Sequence, residues 1–95
     1  MITFTGPLRI WTGADGSSHF MSVPEDCCDE IRVHAMAVRH GFGSVRVEAR
    51  LGEVVWRTSV FPVKSGGYFL PVKVAVMREM GLSAGDTISV SLEPL

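Results

Sequence analysis

Apolar and polar residues alternate from Val45 to Leu51, with Val45, Val47, Ala49 and Leu51 in one phase and Arg46, Glu48 and Arg50 in the other. Successive side chains of a strand point to opposite faces, so this period of two predicts a half-buried strand. Gly52-Glu53 follows as a two-residue loop with glycine first, as a type II′ hairpin turn prefers. The return strand then sets Leu51 against Val54, Ala49 against Trp56, Val47 against Thr58 and Val45 against Val60, all on one face. On the other face Glu48 meets Arg57, an attractive cross-strand pair. A slip of one residue would turn the apolar set outward, so the pattern itself specifies the register. Trp56 is predicted in the core beside Ala49.

The stretch from Tyr68 to Glu93 organises the rest of the chain. It reads as a short strand, a helix, a tight turn and a closing strand. Pro71 suits the first turn of a helix, where its missing N–H would have had no partner. Val72, Val76 and Met80 then fall four apart on one face, with Ala75 alongside. Gly81 follows the helix, where a left-handed conformation costs glycine little. Ser83-Ala84-Gly85-Asp86 supplies turn chemistry, with Asp86 bonding neighbouring backbone. Ile88, Val90 and Leu92 alternate with Ser89, Ser91 and Glu93, a second half-buried strand.

Towards the N-terminus, Ile2, Phe4, Leu8 and Ile10 are in phase along a strand from Ile2 to Trp11. Gly6-Pro7 interrupts it, which predicts a bulge or an edge position. A turn over Thr12 to Ser17 leads to a short strand, His19 to Val23, stopped by Pro24. Ile31, Ala35 and Val38 then recur at helical spacing, and His40-Gly41 marks the helix end. Glu25, Asp26, Asp29 and Glu30 crowd its start, where negative charge complements the helix dipole. The expected fold is mainly β with two short helices, in the order β-β-α-β-β-β-α-β. So many short strands with only two helices to cover them predict a small closed or partly closed barrel.

Ninety-five residues make one domain, and an apolar share of 46% with 20% charged residues suits a compact globule. Nine basic and ten acidic side chains nearly cancel, with no basic half to the chain. The electrostatic footprint of a nucleic-acid binder is absent, and tight non-specific binding to nucleic acid is not expected. The sequence from Met1 to Trp11 lacks the basic leader and unbroken apolar core of a signal peptide, which predicts a cytoplasmic protein with no membrane span. Cys27 and Cys28 are adjacent, poorly placed to form a strain-free disulfide, and are read as reduced structural thiols. His19, His34 and His40 show no metal-like spacing with them, so no metal is predicted.

No nucleophile and base stand in a recognisable context. Ser59 lacks the G-x-S-x-G surroundings of a nucleophile elbow, and Gly66-Gly67 lacks the pattern of a phosphate loop. His34 sits in mid-helix and reads as a partly buried polar residue. No catalytic residue and no cofactor are assigned. Trp11 is out of phase with Leu8 and Ile10, and a half-exposed indole there would be a reasonable contact for a ligand or partner. One further ligand site is expected at the start of the second helix. The free N–H groups of Val72 and Lys73 would point out of it, with Lys64, Tyr68 and Arg57 nearby. Such a site would take a small acidic ligand or a carboxylate from a partner protein.

Several short segments carry a resemblance: Val23-Pro24, Gly41-Phe42-Gly43-Ser44-Val45-Arg46-Val47, Trp56-Arg57-Thr58-Ser59-Val60-Phe61-Pro62, Leu70-Pro71-Val72-Lys73, and Gly81-Leu82 with Gly85-Asp86. From about Val23 onward the chain resembles a bacterial family catalogued as domain of unknown function nineteen-oh-five. The resemblance implies a small double-split β-barrel and brings no activity with it. The last stretch is also similar to the Leu-Pro, Leu-Gly and Gly-Asp pattern of swapped-hairpin regulators and antitoxins related to AbrB, which implies the same barrel. In those proteins two chains share the barrel and basic loops grip DNA. The function expected is a binding or interaction module, monomer or homodimer, with an unknown protein or small acidic ligand as partner. An AbrB-like DNA-binding dimer and a small enzyme with an unrecognised site are the alternatives.

Overall fold

The computed structural model describes residues 1–14, 16–38 and 43–95. Asp15 of the first turn, and the expected helix end at His40-Gly41, lie outside them. Among the described residues seven strands and two helices follow in the order β1 (Ile2–Pro7), β2 (Arg9–Gly13), β3 (Gly16–Ser22), α1 (Glu25–Val38), β4 (Val45–Leu51), β5 (Val54–Pro62), β6 (Tyr68–Val72), α2 (Val74–Met80) and β7 (Thr87–Pro94). This is the expected mainly β fold. The strand read from Ile2 to Trp11 is present as β1 and β2, parted at Leu8 just after Gly6-Pro7.

The strands form one curled sheet in the order β1-β7-β4-β5-β6-β3-β2. β1 and β2 are joined through Leu8 alone, yet they occupy opposite ends of that order. The sheet must therefore curl until its two margins meet at Leu8, which makes it a small split barrel. Leu8 is 1% exposed. Its N–H donates to the Asp86 carbonyl at 2.8 Å, and its own carbonyl accepts from the Gly85 N–H at 2.7 Å. A second crossover lies in β5. Val54 to Val60 pair with β4, whereas Phe61 and Pro62 pair with β6, opposite Phe69 and Tyr68.

The hairpin of β4 and β5 has the register its alternation specifies. Leu51 faces Val54, Ala49 faces Trp56, Val47 faces Thr58 and Val45 faces Val60. Trp56 is buried, and Arg57 Nε lies 3.8 Å from Glu48 Oε2 on the outer face. Ile2, Phe4, Met21, Leu70, Ile88, Val90 and Leu92 supply the other strands' share of the core. Cys28 and Ile31 bring α1 onto it, with Ala35 packed alongside.

The second helix begins later than its sequence suggests. Pro71 and Val72 belong to β6, Lys73 is the N-cap with extended backbone, and the helix runs from Val74. Its buried residues are Val76 and Met77, while Ala75 and Met80 are exposed. Proline is tolerated in β6 because the ladder to β5 ends at Phe69, so no N–H is required of residue 71 on that side. On the other side Pro71 stands opposite Phe20 in the ladder to β3. Gly81 does end the helix, with φ 64° and ψ 39°. The Leu82 N–H bonds the Met77 carbonyl at 2.8 Å, closing the last turn.

Candidate functional site

Alternation along β3 and β6 decides which side chains leave the core. Met21 of β3 and Tyr68, Leu70 and Val72 of β6 point inward and are buried. Phe20 and Ser22, with Phe69 and Pro71, therefore point outward. The register opposes Phe20 to Pro71, Ser22 to Phe69 and Phe61 to Phe69, which draws three aromatic rings together on the outer face. Phe61 and Phe69 stack with ring centroids 5.5 Å apart, and Phe20 meets Phe69 edge-on at 5.9 Å.

Trp11 of β2 stands opposite Ser18 and extends this face towards the sheet margin. It is 60% exposed, which settles a position that the sequence pattern leaves open. Together with Ser18, His19, Phe20, Ser22, Val63, Phe69 and Pro71 it lines a groove of about 580 Å³. No Asp, Glu, Lys or Arg is among the lining residues. Its walls are largely aromatic and aliphatic, with His19, Ser18 and Ser22 as the polar residues.

Two other concavities are of different character. One of about 400 Å³ is lined by Val23, Glu25, Cys28, Arg32, Ser65, Gly66 and Gly67. Its cation is engaged, since Arg32 Nη1 donates to Asp29 Oδ1 at 2.8 Å. The Cys28 thiol there donates to the Val23 carbonyl at 3.6 Å. A third, of about 110 Å³, lies among Met1, Glu48, Arg50, Ser91, Leu92 and Glu93. Both cysteines are free thiols. Burial raises the Cys27 pKa, and Asp26, Cys28 and Glu30 push it further the same way by disfavouring the thiolate. Among the described residues no group of three or more His, Cys, Asp or Glu could hold a metal ion.

The five residues expected to form an anion site lie on β5, in the turn before β6, within β6 and at the N-cap of α2. Tyr68 and Val72 are buried on the inner face of β6. Lys64 lies in the turn before that strand and Lys73 directly after it, so the two lysines flank opposite ends of a five-residue strand. At strand rise that is a separation of roughly 17 Å. Arg57 is exposed on β5 beside Glu48. The N–H of Val72 belongs to a strand, which removes the helix start expected at that point. What changes is the helix boundary, since Pro71 and Val72 belong to β6 and not to α2.

Sequence reading singled out Trp11 and left Phe20, Phe61 and Phe69 unremarked. The signal for them was present: each is out of phase with an inward neighbour, namely Met21, Val60 and Leu70. What alternation along single strands does not reveal is that strand pairing sets the three side by side.

A family model described as Domain of unknown function (DUF1905) matches residues 4–92. The match begins well before Val23, where the resemblance in sequence first becomes readable, and takes in most of β1 and all of β2 and β3. No curated protein matches the chain.

Proposed function

The chain belongs to that family of unknown function, and from this premise we propose that it is a binding module whose contact surface is the aromatic groove between β2, β3, β6 and Val63. The supporting observation is the outward cluster of Trp11, Phe20 and Phe69 around a cavity of about 580 Å³ without a charged residue in its lining. Such volume lies within the range of sites that hold small molecules or single side chains of a partner. The lining suits an uncharged, apolar group better than the acidic ligand expected from sequence. An ionised group brought there would lose hydration without gaining an opposite charge. Ser18 and Ser22 offer orientation through hydrogen bonds.

The test uses indole as a neutral probe, titrated into the 15N- and 13C-labelled chain. The reading expects shifts at Phe20, Phe69, Val63 and the Trp11 indole N–H, and their loss in Phe69→Ser. Shifts spread evenly over the surface, or unaffected by Phe69→Ser, would refute the groove as the contact surface. Acetate titrated in the same way should leave these resonances still.

A further inference from the structure

We infer that β2 is a seam between two copies of this chain, paired antiparallel about a two-fold axis at Trp11. β2 stands at the end of the strand order and, among the described residues, pairs with β3 alone. Its two large apolar residues are both uncovered, on opposite faces: Ile10 is 49% exposed and Trp11 60%. A strand open on one edge and apolar on both faces is a surface that soluble proteins either protect or use. The usual protections are sparse here, since Arg9 is the single charge in Arg9–Gly13 and the strand contains no proline.

The hydrogen-bonding pattern sets what an occupant must bring. The Val23 N–H donates to the Tyr68 carbonyl, so by alternation His19 and Met21 bond towards β6, and Ser18 and Phe20 bond towards β2. By alternation Trp11 bonds to Ser18 and Arg9 to Phe20, which leaves the N–H and C=O of Ile10 and Thr12 directed away from β3. An occupant must therefore be an extended strand with its own outward groups two residues apart. A second β2 supplies them. With the axis at Trp11, Ile10 of each copy exchanges both bonds with Thr12 of the other.

Side-chain pairing favours this register. Trp11 meets its own copy at the closer, non-hydrogen-bonded position, where aromatic pairs contribute most. Arg9 falls opposite Gly13, so no like charges face each other. A register centred nearer Arg9 would oppose the two arginines, which is unfavourable. Trp11 alone leaves on the order of 150 Å² uncovered, taking the upper range for a tryptophan. A five-residue seam is nevertheless at the small end of interfaces, so the association is reversible. Trp11 is shared with the groove lining, whereas Ile10 lies outside it, so a substitution at Ile10 tests the seam without altering the groove proposed above.

Sedimentation equilibrium of the intact chain from about 5 to about 500 μM tests it, a range suited to a small interface. The mass is expected to rise from 10.3 kDa towards twice that value, and Ile10→Lys is expected to hold it at the lower one. In the unaltered chain, hydrogen exchange at the Ile10 and Thr12 amides should slow at least tenfold over the same range, while that of Trp11 changes little. A monomer throughout overturns the proposal. So does a dimer that persists in folded Ile10→Lys, or one that leaves the Ile10 and Thr12 amides unprotected. Loss of indole binding in Phe69→Ser has no bearing on these outcomes.

Discussion

The six-membered ring of Trp11 lies across Gly13, two residues further along the same strand, so closely that a β-carbon on Gly13 would stand 2.2 Å from Cη2. Gly13 does not have a positive φ, so its backbone would accept alanine. The glycine is needed for the indole, which it allows to lie back over the strand at the mouth of the groove.

Gly13→Ala should therefore move Trp11 while leaving the fold intact. The expected stability change is within about 1 kcal/mol, as for a surface substitution with local readjustment. The Trp11 indole N–H resonance should shift, and indole binding at the groove should weaken. An unchanged indole resonance would show that Trp11 does not rest on Gly13 in solution.

Trp56 offers a pair of substitutions with different outcomes. It is buried opposite Ala49, and among the described residues its Nε1 has no hydrogen-bond partner. Trp56→Ala should cost about 3–5 kcal/mol, the range for removing a large buried aromatic. Trp56→Phe keeps most of the ring and removes the unpartnered donor, so its cost should be smaller, roughly 1 kcal/mol. Urea unfolding measures both. Equal losses would mean that the indole N–H finds a partner in solution.

At Leu8 the two margins of the sheet are closed by one buried side chain and two backbone bonds, to Asp86 and from Gly85. Leu8→Ala should destabilise by about 2–5 kcal/mol. Asp86 is itself held in its turn, its Oδ2 accepting the Ser83 N–H at 2.8 Å. Asp86→Ala should cost about 1 kcal/mol, because that contact is exposed. Denaturation midpoints at constant m-value would report both changes.

Alkylation should find two free thiols of unequal reactivity. Cys28 is buried and Cys27 only partly so. Because the Cys27 pKa is raised, its thiolate fraction near neutral pH is below that of an ordinary cysteine, and its alkylation should be correspondingly slow. The rate should still be climbing with pH above about 8.5, where an ordinary thiol is already half ionised. Glu30→Gln removes one of the neighbouring charges and should shift that profile to lower pH. A rate that levels off below pH 8 would contradict the raised value.

Alternation and turn chemistry made much of this molecule legible in advance. The register of β4 and β5 was readable because a period of two, a two-residue loop and an apolar set on one face admit a single solution. Asp86 in its turn and Gly81 after the second helix were readable for a similar reason, since each depends on residues within one turn. Pro71 was not. A proline before an apolar run suits a helix start and a strand whose neighbour stops short, and only the end of the β5 ladder at Phe69 separates them. The groove was beyond sequence reading for the same physical cause. Phe61 and Phe69 meet across neighbouring strands, but whether Phe20 joins them depends on β3 being set beside β6, 49 residues further along the chain. Local pattern decides which face a side chain takes; the curl of the sheet, drawn together at Leu8, decides which other side chains it meets there.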